Sequence, residues 1–528
     1  MIKNISLELP PEVAFDEITF HLYIQQYLQL NNVQSFHVQL LKRSIDARSR
    51  TIKVNIQATI YIDELPQNIF EFNPIYKNVS HAQQVIIVGA GPAGLFAALR
   101  LIELGLKPII LERGKDVQER RRDLANINKK NIVNENSNYC FGEGGAGTYS
   151  DGKLYTRSKK RGDIKRILEI MVQHGAPENI LFEAHPHIGT NKLPKLIQAI
   201  RNTIIKYGGE IHFNTKVIDF IHQKNETKGV VSIATEDVTQ KIKEHLGISV
   251  LLATGHSARD IFSLLQSKNI QIENKPFALG VRVEHPQQFI NSIQYHNNAS
   301  HLLPSAAYNL VAQIALKTEQ KAIFSFCMCP GGFIVPAATS QNEIVVNGMS
   351  PSKRDSLYAN SGIVVAVDEN DWKPHKEYGN LAALEFQKNI EHQAWQQAGK
   401  TQAAPAQRLL DFVKDKASFE LNETSYQPGL VATDMNTLFP DNIAYTLKEG
   451  FKIFGNKMKN YVSNNAQILG IESRTSSPVK IPRDKETLEH ITMKRLFPCA
   501  EGAGYAGGIM SAAIDGERCA EAIAKKYA

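Results

Sequence analysis

The amino-acid sequence predicts an α/β fold, and three stretches carry the prediction. Gln84-Val85-Ile86-Ile87-Val88 is a β-branched run of the kind buried on both faces of a parallel sheet. It passes directly into GAGPAG and then LFAALRLIELG, so a strand, a tight turn and a helix follow one another, and PIILE supplies the next strand. The end of the chain, LFPCAEGAGYAGGIMSAAIDGERCAEAIAKKY, returns to a glycine-rich turn. After it Ile509, Ala513, Gly516, Ala520 and Ile523 recur at three- and four-residue steps, which predicts a closing helix.

At 528 residues the chain is too long for one core and divides into domains. Residues 1–80 read as a small N-terminal α+β module. ISLELP alternates apolar positions, a helix spans about Phe15 to Leu30, and TIKVNIQATIYID places Ile52, Val54, Ile56, Ala58, Ile60 and Ile62 on one strand face. KRSIDARSR reads as a solvated turn between strands, and ELPQNIFEFNPIYKN as a connector. Residues 81–265 and 491–528 read as two segments of one Rossmann-type domain, with a mixed α+β domain, 266–490, inserted between them.

Composition narrows the class. A hydrophobic fraction of 43% with 21% charged residues is that of an ordinary globular protein, and no apolar run approaches a membrane span. The first residues do not read as a signal peptide, and five sparse cysteines suit a reducing cytoplasm better than a disulfide scaffold. A net charge of +7 favours small acidic ligands or phosphates and argues against nucleic acid.

Gly89, Gly91 and Gly94 satisfy G-x-G-x-x-G immediately after the strand. The first permits the turn, the second lets a pyrophosphate approach, and the third lets helix and strand pack. Pro92 and Ala93 open the helix, whose free N–H groups and dipole face the phosphates. Glu112, eighteen residues beyond Gly94 and followed by Arg113, ends the second strand where an acid accepts a ribose diol. That acid suits FAD or NAD and disfavours the 2′-phosphate of NADP. CFGEGGAGTYSDGK lacks the preceding strand that a second dinucleotide fold needs. It reads as a loop lying along one extended cofactor, with Gly144, Gly145, Ala146, Ser150, Asp151 and Lys153 beside it.

Two further pieces resemble an FAD-binding protein of the glutathione-reductase type. One is VLLATG, with Ala253, Thr254 and Gly255. The other is the terminal turn, where Glu501 resembles the acid that holds a ribityl hydroxyl and Gly502, Gly508 and Ile509 lead into the helix; Val217 joins the same cofactor set. The motifs GAGPAG, FGEGGAGTYSDGKL, HIGTNKL, ATGHSARD, FALGVRVEHPQ, FCMCPGG, VVNGMS and EGAGYAGGIMSAAIDG together closely resemble the bacterial FAD-dependent dehydrogenases of unassigned reaction. The likeness runs from about Lys42 to the C-terminus and implies bound FAD, a small N-terminal domain and an inserted domain, with no implied substrate.

On the reactive side, Cys327 and Cys329 share one strand face and are either redox thiols beside the flavin or small core residues. Arg282 either holds an anionic substrate or pairs with a carboxylate, and His187, with His185 near it, either moves protons or packs a loop. Asn347 either bonds substrate or holds a turn, and the basic run 153–166 is solvated surface or a phosphate site. No metal-ligand pattern is present. The resulting expectation is an FAD-dependent oxidoreductase passing a hydride through flavin N5 to or from an unidentified small molecule. NAD(P)H docking transiently and direct donation by a reduced substrate both remain open, since no second nucleotide fold exists. The alternatives are a flavin-dependent RNA-modifying enzyme and a non-catalytic FAD-containing binding protein. Oligomeric state is not legible.

Overall fold

The computed structural model describes residues 1–30, 35–66, 72–155, 162–236, 241–296, 302–317 and 319–528. The central part of the basic run, 156–161, and residues 67–71 of the connector lie outside the described residues.

A five-stranded parallel sheet organises the site, in the order Leu496–Pro498, Ser249–Leu252, Gln84–Val88, Lys107–Leu111, Glu210–His212. The β-branched run is its middle strand, and its side chains point alternately into two cores. Val85 and Ile87 pack with the helices Pro92–Leu104 and Ile509–Tyr527, whereas Ile86 and Val88 pack with Phe262 and Leu265 of helix Arg259–Ser267. An apolar residue is therefore needed at every position, which is why the run does not alternate. The two helices on the first face meet closely: a Cβ on Gly516 would lie 2.1 Å from the Ala93 carbonyl oxygen. Their N-termini consequently open side by side at the same end of the sheet.

The second layer is a large mixed sheet, ordered Val311–Ala315, Gln320–Pro336, Tyr358–Val367, Phe277–Pro286, Gln467–Glu472, Ala404–Arg408, Leu430–Ala432, with Val346–Met349 paired to the far part of Gln320–Pro336. Its pairs are antiparallel except the last, and helices Ala382–Gln397 and Asp441–Lys457 bury Phe386, Ile390, Phe451 and Phe454 in the same core as Val281, Ile323 and Ile363. The strand Gln320–Pro336 loses register with Tyr358–Val367 between Phe326 and Cys329 and again before Gly332. Those breaks re-aim its side chains.

In the N-terminal module the strand order is Ile2–Leu9, Lys53–Ile62, Phe36–Asp46. Helix Glu17–Tyr27, capped by the Asp16 carboxylate accepting from the Thr19 N–H at 2.8 Å, buries Phe20 and Ile24 on the Val54, Ile56, Ala58 and Ile60 face. The expectation of a solvated KRSIDARSR turn is corrected. Only Lys42 and Arg48 to Arg50 are exposed. Arg43 exchanges backbone hydrogen bonds with Phe182 and Ala184, ion-pairs with Glu183, and lies over the rings of Phe15 and Phe182. Ile52 is buried in the core of the mixed sheet, with Ile45 and Ala47 packed against it. Apolar stems between the charges dock the hairpin onto both layers. No helix among the described residues is long and apolar enough to cross a membrane.

Candidate functional site

A cleft of about 440 Å³ opens where the ends of the parallel strands meet the mixed sheet. Gly89 turns the chain at φ +106°, a region closed to side chains without strain. Gly91 caps helix Pro92–Leu104 with no side chain on the first N–H groups, and a Cβ there would meet nothing within 4 Å. Gly94 does not face the cleft; its Cβ would strike the Gly89 carbonyl oxygen at 2.1 Å. The helix therefore presents unsatisfied donors and a positive dipole end to open space. Pro92, Ala93, Ala253, Thr254 and Gly255 line the same space, and the Thr254 Oγ1 is buried without a partner among the described residues.

Glu112 is 5% exposed at the end of its strand. Its Oε1 accepts the N–H groups of Gly114 and Gly142, and its Oε2 that of Ala90, each at 2.9 Å. The second oxygen keeps acceptor capacity, so one carboxylate closes the loops around it and still has room for a diol. Arg113 ion-pairs with Asp260, lies 4.5 Å over the Phe141 ring, and with Val217 walls a side pocket of about 30 Å³ that shares Gly89, Glu112, Phe141 and Thr254 with the cleft.

The loop Cys140–Lys153 lies across the glycine turn, the Gly144 N–H donating to the Ala90 carbonyl at 2.9 Å. Gly145, Ala146, Ser150, Asp151 and Lys153 line the cleft. Gly144 forms the turn instead: φ is +77°, and a Cβ would overlap the Thr148 hydroxyl at 1.9 Å. At the other helix end, Gly508 caps Ile509–Tyr527 at φ +86°, again without a capping side chain. Glu501, Gly508 and Ile509 line the cleft, whereas Gly502 packs on the backbone of Gly255. Burial pushes the Glu501 carboxyl above its ordinary range, against the Ser477 N–H and the Lys275 ammonium. Two helix N-termini without a capping side chain, a threonine hydroxyl with no partner among the described residues and a carboxylate with spare acceptor capacity suit a ligand that bears a diphosphate and sugar hydroxyls.

The opposite wall comes from the mixed sheet. Phe326, Cys327 and Cys329 reach the cleft from the irregular part of Gln320–Pro336, Cys327 at φ +42° and exposed, Cys329 buried beneath it. Dense protein around the cleft pushes the Cys327 thiol up to about 11, against the Lys153 ammonium, and burial raises Cys329 as well. Neither is poised as a thiolate. The Lys153 ammonium donates to the Met328 carbonyl and lies 3.7 Å from Asp151, which Arg354 clamps at 3.2 and 2.6 Å. Burial opposes charge on Asp151, but Lys153 and Arg354 outweigh it and hold the carboxyl below its usual range.

Two expectations of substrate contact are corrected. Arg282 is fully buried under the cleft floor, pairing with Glu472 at 2.6 Å and Asn360 at 2.7 Å and reaching the Asn347 Oδ1 and the Cys327 carbonyl at 3.4 Å. His187 points away, its Nε2 on the Ser352 carbonyl at 3.1 Å, and burial and Arg354 hold its pKa low. His185 packs on Tyr155. A buried group of Cys499, Asp515 and Cys519 has metal-ligand atoms within 4.8 Å of one another, but Arg483 already occupies Asp515 with two hydrogen bonds.

Reading the sequence missed His256, which stands directly after the Ala-Thr-Gly turn and lines the cleft. It also missed the buried network behind it. Arg474 bonds Glu343, Glu391, Thr339 and Ser257, and Arg259 bonds Glu343 and Glu391. No spacing signal marks Arg474.

Residues 82–130 match a family described as FAD binding domain, residues 276–475 one described as FAD-dependent protein, C-terminal domain-like, and residues 1–61 a domain of unknown function. An uncharacterized protein of Clostridium beijerinckii is 37% identical over 544 aligned positions, covering 100% of this chain and 98% of that protein. Among solved structures, the flavin-dependent brominase Bmp2 is similar with a TM-score of 0.34 at 14% identity, covering 84% of this chain and 79% of its own. A geranylgeranyl bacteriochlorophyll reductase-like protein of Thermoplasma acidophilum gives a TM-score of 0.34 at 14% identity, with coverage of 84% and 78%.

Proposed function

Because the chain belongs to the family of FAD-dependent proteins that includes its Clostridium beijerinckii relative, we propose that it is an oxidoreductase moving a hydride between a small organic molecule and FAD. The observation that carries this reading is the pair of uncapped helix N-termini opening on one cleft whose other wall is polar and built by a separate sheet. Bound FAD would supply two-electron chemistry at N5; the chain supplies binding, orientation and electrostatics. Gly89, Gly91 and the Pro92–Leu104 N-terminus hold the diphosphate, Glu112 the adenosine ribose, and Arg113, Phe141 and Val217 wall the side pocket for its base. The Ile509–Tyr527 N-terminus offers a fixed positive end to developing negative charge, with no reorganisation needed. Cys327 meets the substrate from the facing wall and Lys153 from the end of the loop Cys140–Lys153, and Arg282 acts through Asn347 and the Cys327 carbonyl as a positioning residue.

We read residues 81–265 with 491–528 as one FAD-binding domain of the glutathione-reductase type, 266–490 as a domain inserted into it, and 1–80 as a module bracing the two. The protein acts in the cytoplasm. NAD(P)H, where used, docks transiently from the inserted domain. The test is an absorbance spectrum of the purified protein followed anaerobically by NADPH and then NADH. Flavin bleaching by one donor supports a nicotinamide-dependent enzyme, and a flavin spectrum that neither bleaches points to direct donation by an organic substrate. Absence of flavin after incubation with excess FAD overturns the reading.

A further inference from the structure

His256 and Asn347 come from different sheets yet line the same two spaces. Both border the main cleft and both border an adjoining chamber of about 20 Å³, with Glu472 and Arg474 in the chamber wall. Each side chain is fixed from behind and open in front. The Asn347 Oδ1 accepts from its neighbour, the Gly348 N–H, at 2.7 Å and from Arg282 at 3.4 Å, so the amide is oriented with its Nδ2 donors toward the cavity. The Ser257 hydroxyl accepts from Arg474 at 3.2 Å and lies 2.9 Å from the His256 Nδ1. That hydroxyl has no other acceptor among the described residues, so its proton goes to Nδ1. The imidazole proton is thereby assigned to Nε2. Neither Nε2 nor Nδ2 meets an acceptor among the described residues.

We propose that the His256 Nε2–H and the Asn347 Nδ2–H form a two-donor site for an oxygen that carries or acquires negative charge, the enolate or phenolate type of oxyanion. The site deepens the oxidoreductase reading and rests on it, because hydride transfer to or from a conjugated carbonyl develops charge on such an oxygen. A neutral imidazole suits the task. Burial, with Arg474 and Arg259 nearby, pushes the His256 pKa down to about 3, so the ring stays an uncharged donor at neutral pH. The surrounding charges balance: Arg282 is paired with Glu472, and Arg474 and Arg259 with Glu343 and Glu391. The Lys153 ammonium on the same cleft is shared with Asp151, which Arg354 also neutralises.

The ligand oxygen has two sources, the substrate or the edge of the reduced flavin, and the experiment separates them. Holoprotein is titrated with para-nitrophenol in its phenolate form and with para-nitroanisole, following the flavin difference spectrum. Charge-assisted hydrogen bonds predict about ten- to a hundredfold tighter binding of the phenolate. Asn347→Asp keeps the Oδ1 contacts but puts a charged acceptor where the donor was, and His256→Phe removes the other donor; both are expected to abolish the preference, with His256→Gln recovering part of it. Flavin content and melting temperature, measured on each variant, show that the site is still assembled. Sulfite, a nucleophile that adds to oxidised flavin and places negative charge on it, is titrated alongside. Loss of sulfite affinity in the variants with an intact phenolate preference assigns the donors to the flavin edge, the same chemistry from the cofactor. Wild type without the preference, or variants that hold flavin and retain both affinities, overturn the proposal. Protein that binds no flavin at all instead overturns the functional reading beneath it.

Discussion

The two walls of the cleft are built in opposite ways. The flavin-side wall is mostly backbone: glycine turns at Gly89, Gly91 and Gly508 leave helix N–H groups bare, and one carboxylate, Glu112, ties three amides together. The facing wall is mostly buried charge. Arg282 is fully buried and Arg474 is 9% exposed at the cleft edge, and much of what lines the cleft is what they hold in place: Asn347, Cys327 and, across on the parallel-sheet side, His256 through Ser257. A backbone wall tolerates loss of ordinary side chains but not the gain of one at a bare turn. A charge-braced wall responds the other way, because removing one partner strands the other in a low-dielectric interior.

The largest expected effect on flavin binding tests the first wall. Gly91→Glu puts a carboxylate into the open space before the helix, where nothing lies within 4 Å. The protein is expected to fold, and flavin affinity to fall by on the order of a hundredfold or more, since like charges in contact cost several kcal/mol. Gly94→Ala, three residues away, is expected to do the reverse. Its Cβ overlaps the Gly89 carbonyl oxygen at 2.1 Å, so stability falls by about 1–3 kcal/mol, flavin binding declining only as the fold does. Thermal melts read beside bound-flavin absorbance separate the two, and matched losses of flavin and stability in both variants would break the comparison.

The facing wall is tested by Arg282→Met, which leaves Glu472 buried and unpaired. Stability is expected to drop by about 3–5 kcal/mol, with Arg282→Met/Glu472→Gln recovering a large part of it. Denaturant melts of the two single variants and the double variant measure the coupling. Strict additivity would mean that the pair braces nothing.

This difference also explains what could be read from the sequence. Gly89, Gly91, Gly94 and Glu112 are legible because a tight turn, a close helix–strand approach and an acid at a strand end are local demands that leave local spacing. For Arg282 the sequence allows both a substrate contact and a distant ion pair, and only the fold decides: its partner Glu472 is 190 positions away. Arg474 meets Glu343 across 131 positions and leaves no pattern at all. His256 sits inside ATGHSARD, but a histidine after a turn has no spacing to betray that its ring faces a cavity. Simple alternation puts both thiols on one strand face. The register breaks around Cys329 replace that alternation with one exposed and one buried sulfur, both on the cleft. The N-terminal hairpin departs from its solvated reading for a related reason, since the charges of KRSIDARSR hide Ile45 and Ala47, which pack on the mixed-sheet core.

The smallest expected effect asks whether the flavin side is free of long-range charge. Behind the two helices it is not: Arg166 holds Glu517 at 3.0 Å and Glu103 at 2.8 Å, joining three helices. Burial pushes Glu517 up to about 7, from an ordinary 4.5, against Arg166 and with help from the Glu103 charge. The folded protein therefore keeps a proton there that the unfolded chain releases. The stability this contributes is complete below pH 4.5 and is lost as pH rises through 7. Glu517→Gln, which imitates the protonated form, is expected to gain on wild type by about 1–3 kcal/mol across that interval, and to match it in acid. Melts at several pH values give the slope. Parallel profiles would show that Arg166 keeps Glu517 ionised throughout, and the helix side would then be braced by charge in the same way as the facing wall.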